Sequence, residues 1–218
     1  MVCVLVISAL FSGLLDAPAL AKPASTGASE FYDQTVQDAW NVDYVGHVGG
    51  AVHAVTIQGE YAYIGEDTQL TIVDISDPAN PSIAGRCIPF YDRINDIAIA
   101  AGYAYVADFY YGLRIVDVSD PANPFEVGFY DTQGNAALGI AVSGSYAYVA
   151  VGNALRVVDV SVPDNPVEAG FYDAYGQHKN VSVSGGLVYL AAGYGYLYIL
   201  HPTGLQVNFT FMPMIVSP

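Results

Sequence analysis

Leu70 to Pro81 reads "LTIVDISDPANP", and Gly112 to Pro124 reads "GLRIVDVSDPANP". A chain that spells one strand and one turn twice is built from repeats. The aspartates Asp74, Asp117 and Asp159 of these stretches stand 43 and 42 residues apart, and "LYILHP" brings His201 to the same place after another 42. The tyrosine pairs Tyr61/Tyr63, Tyr103/Tyr105 and Tyr146/Tyr148 keep the same period, with Leu187/Tyr189 as a weaker fourth. A period near 42 predicts a propeller blade of four strands.

Each unit divides into those four strands. "AVTI", "IAIA", "GIAV" and "VSVS" are β-prone and small, as the crowded innermost position requires. "YAYI", "YAYV", "YAYV" and "LVYL" alternate with the period of two that marks a half-buried strand. "LTIVDI", "LRIVDV", "LRVVDV" and "LYILHP" make the third. In the turn that follows, Asp77 and Asp120 accept backbone N–H groups while Pro78 and Pro121 preset φ. Pro81, Pro124 and Pro166 then open an outermost strand, where a missing N–H does no harm. Gly46, Gly85, Gly128 and Gly170 mark these outer strands. The piece from Tyr44 to Val48 is thus an orphan outer strand, and the fourth unit has only three strands. The fold expected is all-β: a four-bladed β-propeller of four-stranded blades, its N-terminal strand closing the last blade and leaving no open sheet edge.

The repeated "LxIVDVSDPANP" with "YAYVA" upstream resembles the LVIVD-repeat family of exported bacterial β-propeller proteins. The resemblance covers about residues 42 to 201, and the fourth unit departs from it at His201 and in lacking "SDPANP". It implies a propeller that is secreted or held at the bacterial cell surface, and it transfers no catalytic motif.

Around the repeats, residues 1–21 read as a signal peptide, an apolar run from Val2 to Leu15 ending in Ala19-Leu20-Ala21 without a basic start. Residues 22–41 read as a linker, 42–205 as the propeller and 206–218 as an apolar tail, either an added strand or a sorting signal. After cleavage no membrane span is expected, because the leader's apolar run is shorter than the ~20 residues a spanning helix needs. Cys3 lies in the leader and Cys87 stands alone, so no disulfide forms within the mature chain. A net charge of −15 repels phosphate backbones, which excludes nucleic acid as a partner.

Chemistry is far less legible. Asp74, Asp117 and Asp159 recur in the blades, and with Asp77 and Asp120 they read as turn-holding positions. The trio Asp74, Asp77 and Asn80 makes calcium a minor candidate, but no twelve-residue loop with a closing glutamate surrounds it. His47, His53, His178 and His201 stand singly, so no zinc or other cofactor is expected. Nucleophile and phosphate-loop motifs are missing.

Information lies where the repeats disagree. The loops leading into the innermost strands and those joining second to third strands emerge on one face. There the strand-opening positions carry His53, Asn95, Leu138 and Lys179, followed by Ala54, Asp96, Gly139 and Asn180. Phe109, Tyr110, Tyr111, Tyr175, Tyr194 and Tyr196 rim them, and His178 lies beside. Such rings stack on sugars and anchor protein partners alike. The reading favoured is a non-enzymatic interaction, adhesion or glycan-binding module at the cell surface, working as a monomer or homodimer on an extracellular protein or glycan. The alternatives are a hydrolase of a surface polymer, with Asp96 as acid or base assisted by His53 or His178, and a purely structural envelope component.

Overall fold

Among the described residues, fifteen strands follow one another with a single short helical turn between them. The computed structural model describes residues 45–48, 51–173, 176–193 and 195–204. The expected signal peptide, linker and tail, together with Tyr44, Tyr175 and Tyr194, lie outside the described residues.

Blade 1 holds β1 (Val52–Gln58), β2 (Tyr61–Glu66), β3 (Gln69–Asp74) and β4 (Ser82–Arg86). Blade 2 holds β5 (Ile94–Ala100), β6 (Tyr103–Asp108), β7 (Gly112–Asp117) and β8 (Phe125–Tyr130). Blade 3 holds β9 (Ala137–Ser143), β10 (Tyr146–Val151), β11 (Ala154–Asp159) and β12 (Val167–Asp173). Blade 4 has three strands, β13 (His178–Ser184), β14 (Leu187–Ala192) and β15 (Tyr196–Leu200). Each blade is an antiparallel meander in sequence order, so every strand pairs with its neighbour in the chain.

The cores lie between blades. Leu70 and Ile72 of blade 1 meet Ile97, Ala104 and Val106 of blade 2. Leu113 and Ile115 of blade 2 meet Ile140, Ala147 and Val149 of blade 3. Leu155 and Val157 of blade 3 meet Val181, Val188 and Leu190 of blade 4. Each blade therefore has a trailing face built from its second and third strands, and a leading face to which the innermost strand adds its alternate residues.

The outer strands are locked by close approach. A Cβ on Gly85 would stand 2.3 Å from the carbonyl oxygen of Pro121, and one on Gly128 would stand 2.1 Å from that of Pro163. Only glycine lets the outer strand of one blade lie against the turn of the next. Those turns hold themselves. Asp74, Asp117 and Asp159 accept the N–H of Ser76, Ser119 and Ser161, each at 2.9 Å. Asp77 and Asp120 accept from Ala79 and Ala122 at 3.1 Å and from the Asn80 and Asn123 amides at 2.8 Å. Of the trio that made calcium a candidate, Asp77 spends both carboxylate oxygens and Asp74 spends Oδ1 on groups of the turn.

The expected closure by the N-terminal strand is not formed, and this corrects the sequence reading. Residues 45–48 are not a strand. They lie on blade 1, where a Cβ on Gly46 would stand 2.6 Å from the carbonyl oxygen of Pro78, and Val48 packs against Ala62, Ile64 and Val73. Among the described residues β15 pairs only with β14. Val55 and Ile57 on the leading face of blade 1, and Leu197 and Ile199 on the trailing face of blade 4, stay exposed, so among the described residues these two faces have not met.

Candidate functional site

Every innermost strand opens with a β-bulge. Val52 and Ala54 pair with Glu66 and Gly65, which leaves His53 as the extra residue. In the same way Asn95 is left over between Ile94 and Asp96, Leu138 between Ala137 and Gly139, and Lys179 between His178 and Asn180. A bulge re-aims one side chain without disturbing the strand beyond it. Here that side chain differs in every blade: an imidazole, an amide, an isobutyl group and an ammonium.

These bulges sit on one face with the loops that vary. The backbone ties the two loop sets together: Phe90 and Ile94 donate to Thr68 and Asp67, Phe109 donates to Arg93, Gly152 to Ala136, and His178 to Gly152. The opposite face carries the repeated turns, where Ile75, Val118 and Val160 donate to Glu60, Gly102 and Ser145.

The predicted residues divide by what they touch. His53 is exposed, with Nε2 3.5 Å from Asp67 Oδ1. Lys179 is exposed, its Nζ 3.4 Å from Gln177 Oε1, and Asn180 is exposed beside it. Asn95 faces inward and donates from Nδ2 to the Ala137 carbonyl of the next blade at 2.7 Å. Asp96 accepts the N–H of Ile97 on one oxygen and that of Ile140 on the other, each at 2.9 Å. Its carboxylate bolts blade 2 to blade 3, and burial raises its pKa against those two bonds. His178 is fully buried. Neither of its ring nitrogens has a hydrogen-bond partner among the described residues, and it meets Tyr198 edge-on at 5.9 Å. Asp96, His53 and His178 belong to three different blades, and no three His, Cys, Asp or Glu side chains group as metal ligands among the described residues.

The rings gather on blade 2. Phe109–Tyr111 form a 3-10 turn between β6 and β7. Tyr111 lies 5.1 Å from Tyr91, and Phe109 lies 4.2 Å from Tyr110. Arg93 covers Phe109 at 4.4 Å, while Arg114 lies 5.3 Å from the Tyr91 ring, 5.9 Å from Tyr111 and 5.0 Å from Phe129. Arg114 is itself held at 3.1 Å by Asp108 and at 3.2 Å by Glu126. Burial pushes the Asp108 carboxyl above the usual value despite the guanidinium beside it. The cations fix the rings from below by cation–π attraction. Their outer surfaces stay free: Tyr91 is 74% exposed, Tyr110 52% and Tyr111 45%. Tyr196 stands apart on blade 4, stacked 6.1 Å from Tyr198.

Tyr91, Arg114 and Asp108 escaped the sequence reading. Tyr91 belongs to a Phe-Tyr pair that recurs at Phe129-Tyr130 and Phe171-Tyr172, and Arg114 recurs as Arg156, so neither breaks the period. The available signal was Asp108, a buried carboxylate position that reads Val151 and Ala192 in the later blades.

Four stretches, residues 49–88, 93–132, 134–174 and 175–200, match the LVIVD repeat. The chain belongs to the LVIVD repeat family. No curated protein matches it. Among solved structures it is similar to the computationally designed Ika4 protein, at 10% identity and a TM-score of 0.58, over 72% of this chain and 95% of that one. It is also similar to a functionally unknown protein from Desulfotomaculum acetoxidans, at 19% identity and 0.57, over 67% of this chain and 50% of that one. A third likeness is to the β-propeller domain of Myceliophteria thermophila Cps50 (Swd1), at 11% and 0.54, over 65% and 47%. The LVIVD chain thus spans nearly all of the designed protein and about half of the other two. These likenesses carry the propeller fold, and no helix among the described residues is long and apolar enough to cross a membrane.

Proposed function

We propose that this LVIVD-repeat protein is a non-enzymatic binding module, exported and displayed at the cell surface, whose variable loop face takes an extracellular glycan or protein. The observation that carries the reading is the exposed ring cluster Tyr91, Tyr110 and Tyr111, with Arg114 against Tyr91 and Tyr111 and Arg93 on Phe109, which packs against Tyr110. Rings fixed in advance lose little entropy on binding and offer bare faces to sugar C–H groups or to partner side chains. The bulge residues His53 and Lys179 on the same face add polar groups. Asp96, the residue a hydrolase would use, has both oxygens occupied by backbone N–H groups.

The test is calorimetric titration with a panel of bacterial and plant polysaccharides, alongside a Tyr110→Ala/Tyr111→Ala double variant. Saturable binding that weakens about tenfold or more in the variant supports a glycan site. Absence of binding to every polymer moves the face to a protein partner, and polymer cleavage that disappears in Asp96→Asn overturns the non-enzymatic reading.

A further inference from the structure

The two ends of the blade series carry residues made for a junction and left outside one. Ile97 and Ile140 on leading faces are each 5% exposed and Val181 is 4%, while Val55, their counterpart on blade 1, is 64% exposed. Ile57 beside it is also 64% exposed, although its counterparts Ile99, Val142 and Val183 pack into the junctions. On trailing faces Leu70 and Leu113 are at 0% and Leu155 at 2%, while Leu197 of blade 4 is at 61%. Ile72 and Ile115 are at 0% and Val157 at 7%, while Ile199 is at 59%. The uncovered faces are therefore the two halves of the same interface that the chain builds three times within itself.

A second observation says how the halves meet. Gly46 lies against Pro78 and Pro81 of blade 1 as Gly85 lies against Pro121 and Gly128 against Pro163. Residues 45–48 thus occupy the place of an outermost strand belonging to a blade ahead of blade 1. Among the described residues blade 4 has three strands and no outermost one. A blade 4 docked ahead of blade 1 would find its missing strand already in position.

We infer that two copies of this chain join head to tail into one closed ring, the trailing face of each blade 4 on the leading face of the other's blade 1. Residues 45–48 of each copy complete the other's fourth blade. Four blades that closed on themselves would each turn a quarter circle, and the ends here have not met, so each step turns less. A head-to-tail interface whose rotation closes after two copies gives a finite ring with no exposed edge. This inference goes beyond the binding reading and does not depend on any ligand.

The experiment is sedimentation equilibrium of the full chain, with two variants at exposed positions: Val55→Glu/Ile57→Glu on the leading face and Leu197→Glu/Ile199→Glu on the trailing face. Circular dichroism checks that each variant keeps its strands. The wild type is expected at twice the mass of one chain. Each variant alone is expected to dissociate at concentrations on the order of 100-fold higher or more, because every joint would bury carboxylates. Mixing the two variants restores one good joint and hence part of the association. A wild type that stays monomeric overturns the inference in favour of self-closure or coverage by the chain's own termini. A ladder of larger species overturns the two-copy ring, and association unaffected by either variant overturns the assigned faces.

Discussion

Leu113 and Leu197 hold the same place in their repeats, one fully buried and the other 61% exposed. The same contrast separates Gly128, pressed on the Pro163 carbonyl, from Gly170, where a Cβ would meet no atom of the described residues within 4 Å. A repeat writes its junction residues into every unit, whether or not a neighbouring blade covers them. Burial, and hence energetic weight, is assigned by position in the series.

Truncation should break this symmetry most. Leu113→Ala is expected to cost about 2–5 kcal/mol, because it empties a packed junction. Leu197→Ala is expected to cost under about 1 kcal/mol in samples dilute enough to keep chains separate. Urea denaturation of both variants gives the comparison, and equal losses would mean that blade 4 has a covered trailing face in solution.

Filling the glycines comes next. Gly128→Ala is expected to destabilise by about 1–3 kcal/mol, since its methyl group would strike backbone. Gly170→Ala should be neutral or gain up to about 1 kcal/mol, as an alanine in a strand loses less entropy. Thermal melts separate the two.

A pH series sharpens the contrast between a junction carboxylate and a turn carboxylate. Burial raises the pKa of Asp96, so the folded state holds its proton more tightly than the unfolded chain does. Its contribution to stability is greatest near and below pH 4 and is lost as pH rises through the raised folded value. Asp74, half-buried and held low by its hydrogen bonds from Ser76, contributes above the unfolded value near 4 and loses that contribution as pH falls through its own. The stability of wild type relative to Asp96→Asn should therefore fall as pH rises above about 4, and relative to Asp74→Asn it should rise as pH climbs toward about 4 from below. Two slopes of the same sign would contradict the burial assigned to Asp96.

The smallest effect is expected at Ala101, whose φ is 51° where the matching residues Gly59, Gly144 and Gly185 stand at 61°, 59° and 58°. Ala101→Gly should stabilise by up to about 1 kcal/mol, read as a rise in melting temperature.

The meander order, the aspartate-held turns and the glycine-marked outer strands were legible in the sequence because each depends on residues close together in the chain or repeated with it. So was the division into a repeated face and a variable one, since loops between fixed strands follow strand direction. The closure was not. Whether residues 45–48 meet β15 depends on the angle between successive blades, which sums small packing choices at Ile97, Ile140 and Val181 and leaves no local mark.

Candidate site residues split along the same line. His53, Asn95, Asp96 and Lys179 stood out because they broke the period, but the sequence could not tell those turned to solvent from those spent on backbone. Asn95 and Asp96 reach carbonyl and N–H groups of β9, partners more than forty residues away that exist only once two blades pack. The sequence by itself determined a series of LVIVD blades with a repeated way of joining them. Only the tertiary structure decided which carboxylates became bolts, that Tyr91 and Tyr111 meet over Arg114, and that two apolar faces remain at the ends. Strand and turn geometry are written within a few residues, whereas burial is a property of whatever comes to lie alongside.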